Sequence, residues 1–201
     1  KIESAMWHLP AYSSAVDCIM LSEEEGTTAT YRSVVEAADS SSAEQLTPKA
    51  GETYTLGDAT WQILSCDTDM PDLNESSIVI KLTYGNTSFL FTGDATMNTE
   101  QGLEMSGYDL KSDVLKVGHH GSAGSTADSF LDAVAPEIAV ISVDSESDMG
   151  EMYHHPATST LQRLSQHGIK VYRTDELGTI RITSDGEKLA VSAFATSTDG
   201  T

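Results

Sequence analysis

Basic residues are scarce in this 201-residue chain: 11 lysines and arginines stand against 31 aspartates and glutamates, giving a net charge of −20. Such a surface repels phosphate backbones at long range, which disfavours unassisted binding to nucleic acid or to anionic lipid. No apolar run approaches the roughly 20 residues that a helix needs to cross a bilayer, so we expect no direct membrane insertion. An initiator methionine and a recognisable signal peptide are also missing, and we expect a processed or excised piece.

Cysteine is nearly absent as well. Cys18 and Cys66 each lie in an apolar run, and their spacing matches no zinc module. Two buried free thiols are favoured over a single disulfide. The length suits one domain, residues 1–201, with a substantial core.

The hydrophobic pattern predicts an α/β layered domain in which helices cover sheet faces. Gly85–Asn86 indicates a hairpin, and a capping Ser or Thr is expected at the start of the helix predicted at 125–136. Pro156 is predicted in the first turn of the helix at 155–168, and Gly168 at its C-terminal cap. Polar segments predict a connection at 40–52 and a loop at 144–153. Strands are predicted at 16–21, 60–66, 77–84, 87–93, 113–117, 137–143, 169–174, 178–183 and 188–194, and helices at 30–39, 97–107, 125–136 and 155–168.

Two strand ends carry residues that can bind metals. Asp94 follows the run 88–91, and His119 and His120 follow the run 113–117. Because α/β proteins place ligands at the carboxyl ends of buried strands, these groups could meet at one sheet edge. A carboxylate and neutral imidazoles suit Zn²⁺ or Mn²⁺. On residue chemistry alone, a turn-forming aspartate and two surface histidines remain an open alternative.

Four motifs in a fixed order carry a family resemblance: Thr-Gly-Asp at 92–94, His-His-Gly-Ser at 119–122, His-Pro at 155–156, and the closing runs 171–174 and 178–180. From residue 51 to 186 the chain resembles the later part of a metallo-β-lactamase-fold hydrolase. It is most similar to the hydrolase domain of ComEC-type DNA-uptake proteins and their free-standing bacterial relatives. The resemblance implies a four-layer αββα sandwich, incomplete at its N-terminus, with a metal centre at one edge of the sheets.

The resemblance also implies roles for individual residues. Asp94 matches the carboxylate that bridges two divalent metals, Zn²⁺ or Mn²⁺, and His120 matches the late histidine ligand. His119 resembles a residue of the site wall that binds substrate or transfers a proton. His155 resembles a further catalytic histidine facing the same cleft, although a surface role for it is equally open.

Other polar residues near the motifs receive structural interpretations. Asn74 and Ser76 match a segment that borders the site, and a structural role there is at least as well supported. Ser122 is expected to fix its loop rather than to act as a nucleophile. The histidines without motif support are expected to be solvated: His8, His154 and His167.

The superfamily motif His-x-His-x-Asp-His, which supplies most ligands of both metals, does not occur in this sequence. The resemblance implies that the chain begins shortly after that motif and that its partner is the missing N-terminal part of the same domain. Two ligands cannot complete a four-coordinate site. We therefore expect this chain alone to bind metal poorly, with the metals absent or incomplete, and to be inactive.

For the full-length parent, the resemblance implies metal-dependent hydrolysis of phosphodiesters or phosphoesters, as a nuclease or phosphoesterase. The charge leaves open a small phosphodiester or phosphoester, or DNA delivered by a neighbouring domain. The alternative is a non-catalytic binding or scaffold module that has lost its metal motif. If the codons upstream of Lys1 encode His-x-His-x-Asp-His, they support the truncated enzyme; if they do not, they support the non-catalytic module. The resemblance implies a bacterial protein, and the acidity favours an extracellular or cell-surface location over a cytoplasmic one.

Overall fold

The structure is a computed structural model that describes residues 16–22, 26–68, 70, 72–144 and 153–194. His8 and most of the predicted loop 144–153 lie outside the described residues. The strands are β1 (Cys18–Met20), β2 (Glu44–Leu46), β3 (Thr53–Leu56), β4 (Ala59–Ser65), β5 (Val79–Tyr84), β6 (Thr87–Phe91), β7 (Val114–Lys116), β8 (Ile138–Ile141), β9 (Lys170–Arg173), β10 (Thr179–Ser184) and β11 (Leu189–Phe194). The helices are α1 (Ala29–Asp39), α2 (Met97–Met105), α3 (Asp128–Val134), α4 (Thr158–Gln166) and α5 (Thr174–Leu177), and short 3₁₀ turns occupy Leu73–Ser76 and Gly118–Gly121.

A central sheet of seven strands has the order β3-β4-β5-β6-β7-β8-β9. Its first four strands form an antiparallel meander, and the hairpin between β5 and β6 turns at the predicted Gly85–Asn86. From β6 to β9 the strands are parallel, because α2, α3 and α4 return the chain across the sheet. The carboxyl ends of β6, β7 and β8 therefore open onto one edge, where ligands of α/β proteins bind.

Helices α2, α3 and α4 cover one face of this sheet. Leu90, Leu115 and Ala139 are partners in register on three neighbouring strands, and all three are fully buried. They belong to one core cluster with Phe130 of α3 and Leu164 of α4. Burying a large apolar side chain stabilises a fold by about 1.5–3 kcal/mol, so this cluster fixes the edge that carries Asp94 and the two histidines.

The opposite face of the sheet is contacted by the hairpin of β10 and β11. The Thr87 and Ser184 hydroxyls are 2.6 Å apart, and Asn86 N donates to Gly186 O at 2.6 Å. Cys18 and Cys66 form no disulfide. Cys18 is exposed, so the prediction that it is buried is wrong, and Cys66 is half-buried beside Pro48 O. Among the described residues, no helix is both long and apolar enough to span a membrane.

Three elements depart from the sequence prediction. The polar connection 40–52 contains β2, whose three residues pair in parallel with β1. β3 forms a hairpin with β4, and there Tyr54 stacks on Trp61 with ring centroids 4.4 Å apart. α5 is a single turn between β9 and β10. The two short strands β2 and β3 depend on cross-strand partners that the local sequence pattern does not show.

Two predicted helix signals also work differently. No serine or threonine side chain caps α3; its N-cap is Ala127, which makes no side-chain hydrogen bond. Pro156 precedes the first turn of α4, which begins at Thr158, because Ala157 is the N-cap residue. Gly168 follows the end of α4 with φ +69°, a left-handed conformation that glycine adopts without strain.

Candidate metal centre

Asp94 and His120 meet at the edge of the central sheet where the parallel strands end. Asp94 follows β6 after a three-residue step, and His120 lies in the 3₁₀ turn that follows β7. Because these strands are adjacent and parallel, the two turns face the same edge. Asp94 Oδ1 is 3.2 Å from His120 Nε2. The structure therefore brings together the two residues that the sequence proposes as metal ligands.

The turn that presents the histidines is held in an unusual backbone conformation. His119 and His120 have φ values of +47° and +55°, a left-handed region that non-glycine residues seldom occupy, at a cost of order 1–3 kcal/mol. His119 N donates to Gly93 O at 3.1 Å, and this bond ties the turn to the segment carrying Asp94. A Cβ on Gly118 would lie 3.0 Å from Ala95 O, so a glycine lets the two segments approach.

The imidazole of His120 is oriented as a ligand. Its Nδ1 is 2.6 Å from Ser142 O. Since a carbonyl oxygen only accepts, Nδ1 carries the proton, and in the neutral ring Nε2 carries a lone pair. Nε2 is buried and makes no well-oriented hydrogen bond to any described residue, even though Asp94 Oδ1 is close.

Two lone-pair-bearing atoms thus face each other across a short gap. Two atoms each about 2.1 Å from one ion at the tetrahedral angle lie about 3.4 Å apart. The separation of 3.2 Å between Asp94 Oδ1 and His120 Nε2 matches that arrangement. The pair therefore fits a shared divalent cation.

The carboxyl group of Asp94 is ionised at neutral pH. Burial raises its pKa, but when the histidines are protonated a hydrogen bond from His120 and the positive charges of His120 and His119 outweigh burial and lower the pKa from 3.8 to about 2. Lys116, at the end of β7, is a further charge beside this site: burial lowers the pKa of its ammonium group, and Asp94 opposes that shift. The Lys116 ammonium donates to Val117 O at 2.7 Å.

Ser77 supports Asp94 and was not singled out from the sequence. Its hydroxyl accepts a hydrogen bond from Asp94 N at 3.0 Å. Ser76, which the sequence analysis named instead, has a buried hydroxyl without a hydrogen-bond partner among the described residues. Asn74 bonds Asp72 Oδ1 through its main-chain and side-chain nitrogens and so stabilises its own turn. The Asn-x-x-Ser spacing could have identified Ser77, since it points to the fourth residue.

The loop after the histidines is clamped from two helices. The main-chain N–H groups of Thr126 and Ala127 donate to the two carboxylate oxygens of the buried Glu100 on α2. Arg163 on α4 donates to the carbonyl oxygens of Thr126 and Ser125 at 2.7 and 2.8 Å. Thr126 has φ +63°, so a strained residue is held through both its donor and its acceptor. Neither Glu100 nor Arg163 lies in a sequence motif from which these hydrogen bonds could have been predicted.

The other two catalytic candidates lie beside each other. The rings of His119 and His155 meet edge to face with centroids 5.6 Å apart. His155 in turn stacks against Tyr153, with centroids 5.9 Å apart. The structure thus brings His155 to the same side of the molecule as His119, on the flank of the pair formed by Asp94 and His120.

The remaining polar residues have local roles. Ser122 Oγ accepts from Gly124 N, and Ser122 O accepts from Thr160 Oγ1 at 2.7 Å; both bonds fix the loop. His154 is exposed, with φ +52°. The prediction of a solvated His167 is wrong, because its ring lies between two carboxylates of α3, those of Asp128 at 3.0 Å and Asp132 at 3.5 Å.

The described part of the chain supplies two ligand candidates rather than a complete centre. Within residues 16–22, 26–68, 70, 72–144 and 153–194, no group of three or more histidine, cysteine, aspartate or glutamate side chains could hold a metal ion. A zinc ion takes about four ligands. Asp94 and His120 fit a shared cation, and further ligands would have to come from elsewhere.

Comparison with known proteins identifies the family. The sequence profile described as the Metallo-beta-lactamase superfamily matches residues 16–145, which is more than half of the chain. The chain therefore belongs to the metallo-β-lactamase superfamily, and the predicted fold is confirmed. Among solved structures, a point mutant of CmlA beta-hydroxylase aligns with a TM-score of 0.47 and 15% identity, covering 75% of this chain and 35% of that chain.

The curated relatives are bacterial ComEC-type proteins, as the motifs indicate. ComE operon protein 3 of Bacillus subtilis (strain 168) is 39% identical over 134 residues, which cover 66% of this chain and 17% of that protein. Competence protein ComA of Neisseria gonorrhoeae is 40% identical over 111 residues, covering 55% and 16%. Recombination protein 2 of Haemophilus influenzae is 34% identical over 123 residues, covering 61% and 15%. The chain thus spans about one sixth of the length of these relatives.

Proposed function

We propose that the protein containing this chain is a metal-dependent hydrolase that cleaves phosphodiester or phosphoester bonds. The convergence of Asp94 and His120 at the sheet edge, with His120 Nε2 buried and lacking a well-oriented hydrogen bond, carries the proposal. In this mechanism, Asp94 and His120 would hold divalent metal, Zn²⁺ or Mn²⁺, and His119 and His155 would transfer protons. The competence and recombination names of the relatives support DNA as a candidate substrate; a small phosphodiester is the other.

Each of the chain's residues has a defined task in this mechanism. When bound, divalent metal would supply Lewis-acid activation of water and charge neutralisation at the phosphoryl group. Asp94 brings a carboxylate whose pKa of about 2 keeps it ionised. His120 brings Nε2, because Ser142 O holds the proton on Nδ1. His119 and His155 flank that pair and can hold or donate a proton to a departing oxygen.

The experiment compares single substitutions in the full-length gene product. Asp94→Asn should lower metal content and abolish hydrolysis of bis-p-nitrophenyl phosphate together, since it removes a ligand charge. His120→Ala should do the same. His119→Ala should keep most of the metal yet lose on the order of 10²-fold or more in rate, the usual scale for an acid–base group. Metal content and turnover are measured on the same preparations.

A matched control is Asp58→Asn, an exposed aspartate in the turn between β3 and β4. It should leave metal content and turnover unchanged. If His119→Ala loses metal while His120→Ala keeps it, the two roles are exchanged. If the full-length protein hydrolyses no phosphodiester with either metal, the non-catalytic module is the correct interpretation. An extracellular or cell-surface location remains part of the proposal and is supported by the acidic composition alone.

A further inference from the structure

Tyr153 extends a row of aromatic rings outward from the candidate metal centre. Its ring is nearly parallel to that of His155, with an interplanar angle of 21°, and His155 meets His119 edge to face at 70°. Tyr153 is 52% exposed, so about half of its surface is accessible to solvent beside His155. An exposed aromatic ring placed beside a hydrolytic site is a surface on which a flat group can stack.

The segment that carries Tyr153 is anchored to the histidine turn. Ala157 N donates to Gly121 O at 2.8 Å. Pro156 packs so closely on Gly121 that an added Cβ there would lie 2.7 Å from the proline Cβ. The left-handed turn at His154, φ +52°, lies between Tyr153 and His155, the two residues whose rings stack. The position of Tyr153 is therefore tied to that of the proposed ligands.

We propose that the exposed ring of Tyr153 stacks on a nucleobase adjacent to the scissile phosphodiester, which makes Tyr153 a substrate-binding residue. The proposal rests on the proposed function and names the part of the substrate that is recognised. A chain with a net charge of −20 cannot rely on a basic groove to hold a nucleotide. Stacking on an aromatic side chain contributes affinity without positive charge and tolerates every base.

The kinetic test uses the full-length gene product with Mn²⁺ and two single-stranded substrates: a thymidine trinucleotide and the same trinucleotide with abasic residues. Tyr153→Ala should raise KM for the base-bearing substrate about 5- to 100-fold. Its kcat should change little, because stacking on a flanking base is equal in the ground and transition states. The KM for the abasic substrate should not respond to the substitution. Tyr153→Phe is the matched control, since it keeps the ring, and should resemble the unaltered protein.

A binding test is independent of turnover. In the presence of EDTA, an oligonucleotide that contains 2-aminopurine should lose fluorescence on binding the unaltered protein and Tyr153→Phe, but not Tyr153→Ala. If Tyr153→Ala changes both substrates equally, or lowers kcat rather than raising KM, the ring only supports His155 and the inference is wrong. Unchanged quenching in Tyr153→Ala also overturns it. If the unaltered protein hydrolyses neither substrate yet quenching depends on Tyr153, the proposed function fails and the stacking surface stands.

Discussion

Replacing Arg163 with methionine removes one side of the clamp on the loop behind the candidate metal centre. The guanidinium Nε donates to Thr126 O at 2.7 Å, and Nη2 donates to Ser125 O at 2.8 Å. Both acceptor residues are fully buried, so water has limited access to the two carbonyl oxygens once the donors are lost. Methionine keeps most of the aliphatic stem and thereby isolates the hydrogen bonds from the packing.

The size of the effect follows from the two bonds. Hydrogen bonds to charged groups contribute about 1.5–3 kcal/mol each, and a buried acceptor left without a partner costs about 1–3 kcal/mol. Since part of Arg163 is exposed, we take the lower end and expect Arg163→Met to destabilise by about 3 kcal/mol. Arg163→Lys, which has a single ammonium group, should reach one carbonyl and lose about half of that.

The measurement is urea unfolding of the purified domain, followed by circular dichroism at neutral pH. Arg32→Met is the matched control, because Arg32 is exposed on α1, and it should change the free energy of unfolding by less than about 0.5 kcal/mol. A loss below about 0.5 kcal/mol for Arg163→Met would refute the claim that the clamp holds the loop. An absence of loss for Arg163→Lys would show that charge, rather than the two-carbonyl geometry, is what matters.

Two further predictions concern the same loop. Burial raises the pKa of Glu100, although the N–H groups of Ala127 and Thr126 oppose that shift. The contribution of Glu100 to the free energy of unfolding is therefore complete below the ordinary carboxyl pKa and is lost as pH rises through the raised pKa. Glu100→Gln should thus show a smaller fall in unfolding free energy between about pH 4 and 7, whereas the exposed Glu36→Gln should keep the original pH profile. Gly121→Ala should destabilise by more than about 2 kcal/mol, because Gly121 has φ +82° and no room against Pro156, while Gly107→Ala, with φ +79° and open space, reports the backbone cost alone in the same urea assay.

The convergence of Asp94 with His120 could be expected from the sequence because it follows from chain order. Each residue comes just after a continuous apolar run, and buried parallel strands end at a common edge. That rule needs no knowledge of side-chain contacts. The same rule could not place Ser77, because its contact with Asp94 joins two turns separated by the whole β5–β6 hairpin.

The clamp that Glu100 and Arg163 form on residues 125–127 could not be predicted from local sequence patterns, for a related reason. Ser125 and Thr126 precede α3 as a conventional capping pair would, yet Glu100 of another helix accepts from the N–H groups at that position. Glu100 bonds the N–H groups of the N-cap residue Ala127 and of Thr126 before it, whereas a capping serine or threonine would bond N–H groups inside the first turn. Sequence reasoning finds the need for an acceptor at a helix start but not which residue fills it.

The contacts that orient the two proposed ligands are made entirely within the protein. Ser142 O fixes the ring of His120, Ser77 holds the main chain of Asp94, and His119 N bonds Gly93 O across the two turns. None of these bonds needs a cation, so the chain itself bears the strain of the left-handed histidines.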